Sequence, residues 1–89
     1  MAEGIVTDPA YVTLLASALE QRLPGAQLRH EWIRSNRYRF EVVWDRFDEM
    51  EHPERQKLVW DIAEAVLSKE DLWKISMILT LGVEDLPRD

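Results

Sequence analysis

The chain has 89 residues, 46% of them hydrophobic, with four tryptophans, no cysteine and a formal net charge of −6. That is one domain's worth of polypeptide with a modest but sufficient apolar mass for one core, and the missing thiols exclude disulfides, thiolate metal sites and cysteine nucleophiles. No apolar run approaches the roughly 20 residues that span a bilayer, residues 1–6 lack the basic and apolar segments of a signal peptide, and a reducing cytoplasm is the expected location.

Asp8-Pro9 predicts a helix start, with Asp8 as the cap and Pro9 at the first helical position. Val12, Leu15, Leu19 and Leu23 recur at helical spacing, Leu14 and Ala18 widen the stripe, and Pro24-Gly25 closes it, so the helix is expected over 9–23. Two segments of period two follow. Leu28, His30 and Trp32 share one face of the first; Tyr38, Phe40, Val42 and Trp44 share one face of the second. Ser35-Asn36-Arg37 suits the turn between them. A two-residue turn would set Trp32 against Arg39, whereas a three-residue loop sets Trp32 against Phe40 and Leu28 against Trp44, gathering the apolar side chains on one face. That register is preferred, and it leaves Arg29, Glu31, Arg39 and Glu41 together on the outer face, with Glu31 opposite Glu41 and diagonal arginines offsetting the repulsion.

Pro53 opens a second helix with Glu51 and Glu54 near its positive end, and Leu58, Val59, Ile62, Ala63, Val66 and Leu67 form its apolar stripe. Ser68 to Asp71 reads as a polar connection. Leu72 to Leu81 reads as a third strand, with Trp73, Ile75, Met77, Leu79 and Leu81 on the core face and Lys74, Ser76, Ile78 and Thr80 on the other. The expected fold is α+β, αββαβ: a three-stranded mixed sheet covered on one face by two helices, the second and third strands parallel through a right-handed crossover. A single domain at 8–82 lies between tails at 1–7 and 83–89.

From Val42-Val43-Trp44-Asp45-Arg46-Phe47 onward the sequence resembles the BolA family. That family has a Val-rich strand end, then Ser-Asp-x-Phe, a loop containing Gly, Arg-His-Arg, an apolar pair with Tyr, and a helix. Trp44 stands at the Ser, Asp45 and Phe47 match, Arg55-Gln56-Lys57 falls at Arg-His-Arg, and Leu58-Val59-Trp60 at the apolar pair and Tyr. The resemblance runs without a gap over residues 42–68 and reaches about Thr80. It implies a fold close to one class of KH domain and partnership with monothiol glutaredoxins, often through a shared [2Fe–2S] cluster; DNA binding is implied for some members. The cluster histidine of the Arg-His-Arg motif is Gln56 here, the histidine that starts the third strand is Trp73, and the loop glycine is Glu49. An amide is a poor iron ligand beside thiolate or imidazole, so no cofactor is expected. His30 and His52 are the remaining imidazoles; His30 reads as a packed core residue and His52 as a helix-start residue.

The acidic run Asp48, Glu49, Glu51, Glu54 lacks the converging spacing of a metal site and reads as a charged loop before a helix. No serine has a positioned His–acid partner, and no enzyme is expected. Two functional readings follow. The first is a protein–protein adaptor, a monomer or weak dimer with a glutaredoxin-like partner by family resemblance, contacting it through Phe47, Glu49, Arg55, Gln56 and Trp73. The second is a nucleic-acid module using Arg29, Arg34, Arg37 and Arg39. Residues 22–46 hold six arginines against Glu31, Glu41 and Asp45, a local charge of +3, but the acidic whole and the absence of a GxxG loop argue against it.

Overall fold

The computed structural model describes residues 8–87. Its elements are α1 (Ala10–Arg22), β1 (Gln27–Trp32), β2 (Tyr38–Val43), α2 (His52–Val66), a one-turn α3 (Lys69–Leu72) and β3 (Ile75–Leu81), with 3-10 turns at Asp45–Glu49 and Val83–Asp85. The sheet order is β1-β2-β3, with β1–β2 antiparallel and β2–β3 parallel. The αββαβ α+β architecture stands, and α3 is inserted before the last strand.

α1 begins one residue later than expected. Pro9 is its cap position and no side chain caps it. The Asp8 carboxylate instead meets His30, with Oδ2 2.9 Å from Nε2, which ties the entry of α1 to β1. Tyr11, Val12, Leu15, Leu19 and Leu23 are buried, while Leu14 points outward at 48% exposure, so the stripe is narrower than expected. α2 starts with Glu51 as cap residue; the Glu51 N–H donates to Glu54 Oε1 (3.0 Å), and Pro53 sits in the first turn where its missing N–H costs nothing. Val59, Ile62, Ala63 and Leu67 pack inward against α1 and the inner face of the sheet.

The parity of the hairpin is as expected, but its register is not. Leu28, His30 and Trp32 lie opposite Val42, Phe40 and Tyr38, two residues along from the expected pairing. The turn itself is two residues, Ser35 and Asn36, both left-handed (φ 57° and 58°), with the Arg37 N–H donating to Arg34 O. Even parity is kept because the Ile33 N–H skips Arg34 and donates to Arg37 O. Charge explains the choice. The observed register pairs Arg29 with Glu41 and Glu31 with Arg39 directly, whereas the expected one faces Glu31 with Glu41. Ion pairs form at both positions.

β3 corrects a second expectation. It starts at Ile75, because Ser68 accepts a hydrogen bond from the Asp71 N–H (3.1 Å) and caps α3. A bulge then lets Ile75 face Tyr38 while Met77, not Ser76, faces Arg39. Past it every side chain is inverted: Ile78 and Thr80 are buried, and Met77 is turned out at 44% exposure. The inversion places two branched side chains beneath α2 in place of flexible Met77.

The C-terminal segment read as a tail opens with the 3-10 turn Val83–Asp85, fastened at both ends. Asp48 accepts from the Val83 and Glu84 N–H groups (3.2 and 3.1 Å). Asp85 Oδ2 accepts from the Gly82 N–H (2.7 Å) and from Arg55 Nη1 (2.8 Å). Gly82 is there for close approach: a Cβ on it would overlap the Asp48 carboxylate and lie 3.0 Å from the Asp48 nitrogen. Gly82→Ala should therefore cost about 1–3 kcal/mol in denaturant titration. The Gly82 N–H, and next the Arg55 guanidinium, hold the Asp85 carboxyl below its ordinary value of 3.8. A depressed carboxyl stabilises above its unfolded pKa and loses that stabilisation as pH falls through the folded one. Asp85→Asn is thus expected to lower the melting temperature near neutral pH, and the gap to wild type should close as the pH is brought well below 3.8.

Candidate functional site

The residues singled out for partner contact lie in the turn before α2 (Phe47, Glu49), in the first turns of α2 (Arg55, Gln56) and at the end of α3 (Trp73), and their fates differ. Phe47 is fully buried. Its ring packs edge-on to Trp44 (5.3 Å) and lies beneath the Arg55 guanidinium (5.8 Å), so it offers no contact surface and acts as a core anchor for the 3-10 turn. Glu49 is exposed on that turn. Arg55 is largely spent inside the molecule: its Nε donates to Met50 O (3.1 Å) and its Nη1 to Thr80 O (3.4 Å) and Asp85. Only 14% of its side chain is accessible.

Gln56 has both ends of its amide committed. Nε2 donates to Ile78 O (2.8 Å) and to Thr80 Oγ1 (3.2 Å), and Oε1 accepts from the Trp60 indole N–H (3.2 Å). The Trp44 N–H donates to Leu81 O across the β2–β3 ladder; strand alternation then turns the Ile78 and Thr80 carbonyls away from β2, toward the free edge of β3. Gln56 and Arg55 therefore cap that edge with side-chain donors. No buried side-chain nitrogen or oxygen among the described residues lacks a partner.

The soft or imidazole donors that iron–sulfur clusters take are few in this chain. There is no cysteine, the Gln56 amide is engaged as described, His30 is bonded to Asp8, and His52 is an exposed residue of the first turn of α2. Among the described residues no group of three His, Cys, Asp or Glu side chains is placed to hold a metal ion.

Trp60 leads to a surface that residue patterning leaves open. It is half-buried, and with Leu72 and Trp73 it lines an apolar groove of about 300 Å³ flanked by Glu64 and Lys69. Trp73, at the end of α3, is 75% exposed. Gln56, Trp60 and Trp73 thus form one continuous side of the molecule. Two signals point to it in the sequence: the i, i+4 spacing of Gln56 and Trp60, and the Ser68-x-x-Asp71 cap that ends strand character before Trp73.

The four arginines of the nucleic-acid reading do not form a free basic patch. Arg29 lies 3.9 Å from Glu41, and Arg39 is paired with Glu31. Arg34 and Arg37 are exposed at the hairpin tip, with no ion pair among the described residues.

No family model and no curated protein sequence matches the chain. Among solved structures it is similar to BolA1 from Arabidopsis thaliana, with a TM-score of 0.69 at 15% identity over 89% of this chain and 99% of that one. An αββαβ order, a mixed sheet covered on one face and a superposition of that extent lead to one conclusion: this chain has a BolA-like fold.

Proposed function

We propose that this chain is a non-catalytic interaction domain that docks a protein partner through the Gln56–Trp60–Trp73 side, and that it does so without ligating a [2Fe–2S] cluster in the BolA manner. The observation that carries the reading is Trp73. A tryptophan left 75% exposed beside an apolar groove is unused contact area, and tryptophan is enriched among the hot spots of protein interfaces. The internal bonding of Gln56 supports the second half, because recruiting it to iron would break its bonds to β3 and Trp60. By family resemblance the partner class is a monothiol glutaredoxin. The glutamates paired with Arg29 and Arg39 count against nucleic acid, since an arginine already neutralised releases few counterions from phosphate.

Isothermal titration with a monothiol glutaredoxin should give saturable binding, and Trp73→Ala should weaken it on the order of 30-fold, the effect of losing a hot-spot ring worth about 2 kcal/mol. Binding of equal strength by the variant would remove Trp73 from the interface. In a second measurement, glutaredoxin carrying its own cluster is followed by visible circular dichroism as this chain is added. The spectrum should keep its shape; a new cluster band that depends on this chain would show ligation by it.

A further inference from the structure

The two edges of the sheet are finished differently. The β3 edge is capped by Gln56 and Arg55. The β1 edge has no proline, no bulge and no covering element among the described residues, and Arg29 to Trp32 are all exposed. The Ile33 N–H donates toward β2, so the odd residues of β1 bond inward and Leu28, His30 and Trp32 turn their N–H and C=O groups to the open side. An open edge of this kind is a template for pairing with another strand.

The geometry points to a second copy of this chain as the occupant, paired antiparallel through β1 about a two-fold axis at His30. The segment Leu28-Arg29-His30-Glu31-Trp32 reads apolar, cationic, central, anionic, apolar. Folded against itself about His30, it brings Leu28 against the second copy's Trp32 and Arg29 against its Glu31. The even residues then form the hydrogen-bonded pairs, as their outward backbone groups require. On the helix-free face the charges continue those inside each copy. Arg39 pairs with Glu31 and Glu41 with Arg29 within the chain, so the row across four strands runs Arg39, Glu31, then Arg29 and Glu41 of the second copy. Neighbouring registers of the same parity set Arg29 against Arg29 or Glu31 against Glu31, and like charges directly opposite destabilise. Charge thus selects one register. His30 does not obstruct it, because its ring turns toward Asp8 and packs near Phe40 at 5.5 Å. Trp32, 57% exposed in the single chain, gains cover. This surface lies on the opposite edge of the sheet from the Trp60–Trp73 groove and does not depend on the docking role proposed for it.

The test is sedimentation equilibrium of the full chain with two charge variants. Wild type should approach twice the chain mass as concentration rises. Arg29→Glu and Glu31→Arg should each weaken self-association about tenfold, since each homodimer gains two like-charge contacts. An equimolar mixture should recover it. In the mixed dimer the carboxylate introduced at position 29 of one variant faces the guanidinium introduced at position 31 of the other, and the penalties inside each chain cancel from the comparison. A wild type that stays monomeric, or a mixture that associates no better than its components, overturns the assignment. Amide exchange on the wild type decides the matter even if a variant unfolds: Leu28, His30 and Trp32 should become protected as concentration rises, and protection that does not change with concentration overturns it equally.

Discussion

Everything in this domain is arranged around β2, the strand with a neighbour on each edge. Tyr38, Phe40 and Val42 are buried on one side of it, and Trp44 continues the row. Arg39 and Glu41 occupy the other side. A slip of one residue would move an arginine and a glutamate beneath the helices, at a desolvation cost no neighbouring contact offsets. With β2 fixed, both neighbours must follow its parity. β1 does so through an even pairing, and β3 does so by bulging out one residue so that Ile78 and Thr80 come inside.

The Thr80 hydroxyl introduced by that bulge sits under α2 and needs a partner. Gln56 provides it, and the same amide reaches the Ile78 carbonyl and receives the Trp60 indole. An amide suits the position because it presents two N–H donors and an acceptor together, whereas a neutral imidazole has one of each. Gln56 therefore works as a tie between helix and strand edge.

The same tie divides the surface. Closing the β3 edge leaves the adjoining side to tryptophans from α2 and the end of α3, while the β1 edge keeps its backbone groups open and its charges in alternation. A partner at one and a second copy at the other would not compete for the same residues. The C-terminal turn belongs to the closed side: Arg55 joins β3, Asp85 and Met50, so the start of α2 is tied to both.

Local chemistry alone made much of this legible. The order of elements, the shared face of Tyr38, Phe40, Val42 and Trp44, the proline in the first turn of α2 and the absence of thiol chemistry all follow from periodicity and residue type. What the chain could not express locally depended on partners distant in sequence. The hairpin register followed cross-strand charge pairs, and the β3 bulge was set by which side chains fit beneath α2. Phe47 is a core residue because Trp44 and Arg55 enclose it, whereas Trp73 is exposed because a serine cap turns the chain into α3 before β3 begins. Alternation fixes which residues share a face, but only the assembled sheet decides which of two equal-parity pairings, and which side of a bulge, has the lower free energy.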